Sequence, residues 1–240
     1  MKKQAFVIGD IHGMNQELKE ILTYWQPSQE ELVFLGDYID RGPNSRETLN
    51  TVHKLNTKLK AHTLRGNHEQ MLLDFLNNPQ EKWPLYFANH GTTTLSQLLK
   101  INEEAVFSQR AASYVDQIDR YYPHLRDWLD GLPYYYEFGD FVCVHAGLDL
   151  SLDNWLQTSQ RDFLWIRDNF LEASNQTGRQ IIFGHTPTLL LHNQAGIWQD
   201  DGKIGIDGGA VYGERLIGLK ISQDEILDVI EIQAKDKGDK

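Results

Sequence analysis

The chain has 240 residues, with 40% hydrophobic and 24% charged side chains, values that exclude a disordered chain and leave enough apolar content for a sizeable core. Its 23 Lys and Arg against 34 Asp and Glu give a net charge of −11, which argues against holding nucleic acid through bulk charge. A single cysteine, Cys143, excludes an intrachain disulfide and makes a reducing compartment the default, and no apolar run reaches the ~20 residues of a membrane span, so cytoplasm is the simplest reading.

In chain order, Gln4–Ile8 reads as a buried strand and 15–25 as a helix with Leu18, Ile21, Leu22 and Trp25 on one face. Residues 32–35 are strand-like, 45–59 helical, 61–64 a short strand, and 69–76 a helix. From Pro79 to about Gly131 strand signals are missing, so this stretch is expected to be a helical insertion. Residues 141–144 and 180–183 are again apolar strands. Beyond about Thr188 the chain is strand-rich, with a hairpin signal at Asp201-Gly202 and paired strands over 214–221 and 226–232. This order predicts an α/β layered fold: one domain over 1–233 with the insert at about 79–131, and a frayed tail over 234–240.

Five strand-like runs end at metal-type ligands. They lead to Asp10 and His12; to Asp37, Asp40 and Arg41; to Arg65, Asn67, His68 and Glu69; to His145; and to His185. Ligands bind beyond the carboxyl ends of strands in α/β sheets, so such ends can converge. Any one Asp or His after a strand is ordinarily a cap or turn, but five in this arrangement are not. The donors are O and N with no thiolate, which suits Mn, Fe or Zn and disfavours a structural cysteine site. Asp10, His12, Asp37, Asn67, His145 and His185 are too many for one open tetrahedral ion and fit two ions if a carboxylate bridges, at ~3.5–4 Å separation.

The words GDIHG (9–13), GDYIDRG (36–42), RGNHE (65–69), VHAG (144–147) and FGHTP (183–187) resemble, in order, the metallophosphoesterase signature, in the form of the small bacterial and phage serine/threonine protein phosphatases. RGNHEQM (65–71) and IDGGAV (206–211) add to the likeness. The resemblance implies a four-layer α-β-β-α sandwich, two mixed sheets flanked by helices, with a dinuclear centre between them. It implies that Asp10 and His12 bind one metal, Asp37 bridges, and Asn67, His145 and His185 bind the other. It further implies that His68 is the general acid oriented by Asp40, and that Arg41, Arg65 and Arg167 bind phosphate, with Asn67 also at the substrate. The ions are expected to be Mn2+, with Fe, Zn or Ni as substitutes. The expected reaction is hydrolysis of phosphoserine, phosphothreonine and phosphotyrosine by in-line attack of a metal-bound hydroxide, without a phosphoenzyme. The partner is then a phosphoprotein or a phosphorylated small molecule.

Arg41-Gly42-Pro43-Asn44-Ser45 is similar to bacterial diadenosine tetraphosphate hydrolases, which share the metal motifs and stand as the second reading. A non-catalytic phosphate-binding module would be marked by lost ligands, and none is lost. Cys143 has Asp149 where a Cys-loop phosphatase needs arginine, so it is expected to be a core thiol. Asp207-Gly208-Gly209 is expected to be a turn or a support for neighbouring ligands. His53, His62, His90, His124 and His192 are assigned to packing or surface, as are Tyr134, Tyr135 and Tyr136. Trp83, Tyr86 and Trp128 are assigned to the core of the insert, and the acidic run 224–231 to a solvated strand face.

Overall fold

The computed structural model describes residues 2–108 and 110–235. Its strands and helices are, in chain order, β1 (Gln4–Ile8), α1 (Asn15–Ile21), β2 (Glu30–Phe34), α2 (Ser45–Leu59), β3 (His62–Thr63), α3 (Asn67–Asn77), α4 (Pro79–Ala88), α5 (Gly91–Leu99), α6 (Ala111–Tyr121), α7 (Leu125–Asp130), β4 (Tyr135–Phe138), β5 (Phe141–Val144), α8 (Gln160–Trp165), α9 (Asp168–Leu171), β6 (Gln180–Phe183), α10 (Thr188–His192), β7 (Trp198–Asp200), β8 (Lys203–Gly205), β9 (Arg215–Ile221) and β10 (Ile226–Gln233). They build two mixed five-stranded sheets, ordered β10-β9-β1-β2-β3 and β4-β5-β6-β8-β7.

Period-two alternation decides which face each strand shows. Val7, Val33, Cys143 and Ile182 point between the sheets, joined by Ile204 and Leu219. Phe6, Ile8, Leu32 and Phe34 point outward under the helices at the N-terminal side. Val142, Val144, Ile181 and Phe183 point outward under α8 and α9, against Phe163 and Phe170. The result is the expected α-β-β-α stack. Each fully buried Leu, Ile or Phe contributes about 1.5–3 kcal/mol relative to leaving it exposed.

Within each sheet three neighbouring strands run parallel: β1, β2 and β3 in one, β5, β6 and β8 in the other. Their carboxyl ends emerge at one rim of the sandwich, where the loops that carry the candidate ligands meet. Among the described residues of 79–130, the chain is helical or turn and no strand interrupts it.

Local chemistry moved several predicted boundaries. The first helix stops at Ile21, a 3₁₀ turn covers Leu22–Tyr24, and Trp25 is extended, with its indole donating to Glu30 O at 3.1 Å. Pro27, two residues on, disfavours helix in Gln26 before it. The predicted strand 61–64 is ladder-paired only at His62 and Thr63, and the strand at 32–35 instead spans Glu30–Phe34. The helix expected from Glu69 begins at Asn67, because the Glu69 carboxylate accepts from Gly66 N at 3.0 Å and closes the first turn. Asp201 (φ 46°) and Gly202 (φ 70°) make the tight β7–β8 hairpin. Of the expected tail, Ala234 N donates to Glu214 O and Lys235 N to Glu17 Oε1, so these two are tied down; residues 236–240 lie outside the described ones.

Candidate dinuclear metal centre and phosphate site

The loop after β1 carries Asp10 and His12, and the loop after β2 carries Asp37, Asp40 and Arg41. The backbone stitches these loops together: Ile11 N and His12 N both donate to Asp37 O, at 3.0 and 2.8 Å. Asn67 and His68 open α3. His145 follows β5, and His185 follows β6.

Asp37 lies at the middle. Its Oδ2 is 3.3 Å from His12 Nε2 and 4.0 Å from His68 Nε2, while its Oδ1 is 3.5 Å from His145 Nε2. Two groups of ligand atoms therefore share this carboxylate: His12, Asp37 and His68, and Asp37, His145 and His185, each within 4.8 Å. Asn67 Oδ1 sits 2.9 Å from both His145 Nε2 and His185 Nδ1. Asp10 enters from the side, with both carboxylate oxygens accepting from His185 N at 3.1 and 3.0 Å.

The donor set fits divalent cations on three counts. First, the tautomers of two histidines are set by main-chain carbonyls. His12 Nδ1 donates to Ile39 O at 2.8 Å and His145 Nδ1 to Leu35 O at 3.1 Å, so in the neutral rings both Nε2 lone pairs face the site. Second, His145 Nε2 faces only oxygen acceptors. Protonation would satisfy them, but burial pushes its pKa down, whereas a cation would satisfy all of them. Third, carboxylates crowd together. Burial first, and then Asp207 and Asp37, push Asp10 well above the usual range, and burial pushes Asp207 up as well. Burial works against ionising Asp37 too, yet His145, His68 and His12 outweigh it and hold its carboxyl well below the usual range.

Backbone strain concentrates here. Ten non-glycine residues among those described have positive φ, and five belong to this site: His12, Asp37, Asp40, Arg41 and His185. Such conformations cost of order 1–3 kcal/mol each and persist only where the surroundings over-determine them. Two glycines press on ligand carboxylates. A Cβ at Gly184 would stand 2.0 Å from Asp10 Oδ1, and one at Gly66 2.2 Å from Asp37 Oδ1.

His68 is held at one nitrogen only. Its Nδ1 is 2.7 Å from Asp40 Oδ2, and its Nε2 is buried with no hydrogen-bond partner while the ring lines a cavity of about 370 Å³. Burial, the largest influence on both, pushes Asp40 up to about 8 and His68 well down, so the pair resists carrying separated charge.

Arg41 NH1 lies 2.7 Å from His12 Nε2 and Arg167 Nε donates to His185 Nε2 at 3.1 Å, so both guanidinium groups reach the cavity floor. Arg65 does not join them. It is buried behind the floor, where NH1 donates to Gln70 Oε1 and Tyr134 Oη and NH2 donates to Asp130 O. Its two terminal nitrogens thus tie α3 to α7, its Nε is buried without a hydrogen-bond partner, and the side chain is not among those lining the cavity.

Sequence reasoning gave no role to Glu69, whose carboxylate accepts from Asp37 N, Tyr38 N and Gly66 N at 2.7, 2.8 and 3.0 Å and so fixes the loop that carries Asp37. Burial and Asp37 push it up to about 8. Asp207 lines the cavity from the end of β8, a sixth converging strand that three residues were too short to announce. The outer wall is Trp165, Tyr212, Leu189 and Leu190. Trp165 stood two places before Arg167 in the sequence and went unused. Of the histidines set aside, His53 packs edge-on to Trp128 and His62 stacks on Tyr136. Cys143 is a buried thiol, pushed up to about 12 by burial.

The model of the calcineurin-like phosphoesterase family matches residues 4–212. The chain belongs to the calcineurin-like phosphoesterase family. As such it is a hydrolase, and its relatives carry two kinds of name. It is 26% identical to the bis(5'-nucleosyl)-tetraphosphatase PrpE [asymmetrical] of Oceanobacillus iheyensis, over 95% of this chain and 92% of that protein. It is 28% identical to serine/threonine-protein phosphatase 1 of Salmonella typhimurium, over 91% and 92%. Its fold matches the cold-active protein-tyrosine phosphatase of a psychrophilic Shewanella species with a TM-score of 0.61 at 16% identity, covering 97% of this chain and 81% of that one. Among the described residues, no helix of this phosphoesterase is long and apolar enough to cross a membrane.

Proposed function

We propose that this phosphoesterase is a protein phosphatase that hydrolyses phosphoserine and phosphothreonine, with phosphotyrosine as a further substrate. The observation that carries the reading is His68: Nδ1 held by Asp40 and Nε2 buried, unpartnered and facing the cavity. A serine or threonine alkoxide leaves poorly without a proton, and a histidine placed this way can give one. A nucleotide leaving group is a stable anion and needs that help far less.

In this reading Asp10 and His12 would hold one divalent ion and Asn67, His145 and His185 a second, with Asp37 shared between them and manganese the first candidate. Divalent cations there would supply Lewis acidity and an acidified water as nucleophile. Arg41 and Arg167 bind the phosphoryl oxygens and offset charge as it develops. His68 gives its Nε2 proton to the departing oxygen while the hydrogen shared between Asp40 Oδ2 and Nδ1 ends on Nδ1, so the ring is neutral before and after, and Asp40 keeps it oriented. The domain is the unit 1–233 with its insert at 79–131, working in the cytoplasm.

A second reading, dinucleoside tetraphosphate hydrolysis, is favoured by a different observation. Trp165, Tyr212, Leu189 and Leu190 form an apolar, aromatic wall beside the arginines that could seat a base. The PrpE relative points the same way. Manganese-loaded protein assayed with a phosphoserine peptide and with diadenosine tetraphosphate separates the two. A higher kcat/KM on the peptide is expected, and a clear preference for the dinucleotide reverses the order.

A further inference from the structure

The helical segment after Pro79 reaches into the site at one point. Asp40 is fully buried, and its two oxygens have separate tasks. Oδ2 faces His68 Nδ1. Oδ1 accepts from Thr94 Oγ1 at 2.5 Å and from Tyr86 Oη at 3.2 Å. The Thr94 hydroxyl also accepts, at 2.9 Å, from Asp40 N, which donates to Ser45 Oγ at 3.0 Å as well. One hydroxyl thus grips Asp40 at both its amide and its carboxylate. Asp40 has φ 69°, a left-handed conformation that a non-glycine residue keeps only when held. Tyr86 is on α4 and Thr94 on α5, both buried and away from the cavity lining.

We infer that Thr94 and Tyr86 are positioning residues for the proton-donating step: they clamp the unused oxygen of Asp40, so that Oδ2 stays aimed at His68 Nδ1 and the ring presents Nε2 to the leaving oxygen. The helical insert then has a task in the chemistry as well as in packing. This inference rests on the phosphomonoesterase reading, since proton donation matters most when the leaving group is basic. It is independent of the metal ligands, none of which Thr94 or Tyr86 touches.

The test is a leaving-group series. Wild type, Thr94→Val, Thr94→Ser and Tyr86→Phe are assayed with manganese on p-nitrophenyl phosphate, phenyl phosphate and a phosphoserine peptide. General acid catalysis is worth about 10²–10⁴-fold, and loss of the Thr94 grip should remove about tenfold of it on the peptide, with KM nearly constant. On p-nitrophenyl phosphate, whose leaving group needs no proton, the loss should stay within about twofold. Tyr86→Phe, removing the longer bond, should lose about threefold on the peptide, in line with one modest hydrogen bond. Thr94→Ser keeps the hydroxyl and should restore the wild-type pattern. A readout without turnover accompanies these: the downfield proton resonance of His68 Nδ1–H, assigned by its loss in Asp40→Asn, should move in Thr94→Val and not in Thr94→Ser. Equal losses on all three substrates, or an unmoved resonance, overturn the inference. If wild type hydrolyses none of the substrates, the phosphatase reading fails, and the resonance alone decides whether the clamp exists.

Discussion

The floor and the rim of the active cavity are built on opposite terms. The floor, made of His12, Asp37, Asn67, His68, His145 and His185, is buried throughout, with strained backbone held by carbonyl, amide and carboxylate contacts from five loops. The rim leaves Trp165 37% and Leu190 70% exposed, and the rim residues Trp165, Leu189 and Leu190 come from the short helices α8 and α10. The difference teaches where chemistry and choice reside. Groups that meet developing charge gain from being fixed in a dry, preorganised setting. Groups that sort substrates gain from exposed area that a partner can cover. A substitution in the floor should therefore lower turnover on every substrate, and one in the rim should change the ranking of substrates.

The largest effect is expected for Asp37→Asn, which removes the carboxylate shared by both ligand groups. Metal Lewis acidity is worth several kcal/mol, so kcat on p-nitrophenyl phosphate should fall by about 10³-fold or more, and chelation of wild type should do the same. Activity within tenfold of wild type would break the bridging assignment. Next is His68→Asn, with a loss of about 10²–10⁴-fold on a phosphoserine peptide and a smaller loss on p-nitrophenyl phosphate. Then come the guanidinium groups. Arg41→Ala and Arg167→Ala should each lower kcat/KM by about 10- to 10²-fold, the worth of a charge-assisted hydrogen bond. Arg65→Ala is the contrast: a lower melting temperature with kcat/KM nearly kept, because Arg65 is tied to Gln70, Tyr134 and Asp130 instead of facing substrate. Equal catalytic losses for all three would return Arg65 to the floor.

At the rim, Trp165→Ala should leave p-nitrophenyl phosphate turnover within about threefold while lowering kcat/KM on diadenosine tetraphosphate by up to about tenfold, since base–aromatic stacking is worth ~1–3 kcal/mol. A uniform loss on both substrates would erase the distinction between floor and rim.

The smallest effect lies beneath the floor, at Cys143. Burial pushes its thiol up to about 12, against ~8.5 in an unfolded chain. The native protein should resist alkylation at pH 8. The sign of the linkage follows: the folded state keeps the proton, so this contribution is complete below pH ~8.5 and is lost as pH rises from there through about 12. Urea midpoints of wild type should fall more steeply over that window than those of Cys143→Ala. Matching slopes would mean that the thiol is hydrated.

Much of the site was legible because each ligand follows an apolar strand, and a strand that ends in Asp or His announces both its geometry and its chemistry. Gly36-Asp37 and Gly184-His185 are examples. The motif position of Arg65 says nothing of which face of the loop its long side chain takes; Gln70, Tyr134 and Asp130 decide that from 5, 69 and 65 residues away. Asp207 was undervalued because β8 is too short to show alternation and is placed by its pairing with β6 on one side and β7 on the other. Thr94 and Tyr86 carried no local signal, since a threonine in a helix and a tyrosine among aromatics both read as packing.

What the residues alone determined was the α/β layering and a set of candidate ligands, because hydrophobic period and donor chemistry are local properties of the chain. What only the tertiary structure decided was the company each side chain keeps: which oxygen of Asp37 faces which histidine, and which hydroxyls of the insert reach Asp40. The pairings of the site join residues up to 175 positions apart, as between Asp10 and His185, and no local preference specifies them; they exist only once the two sheets and the helices around them have packed.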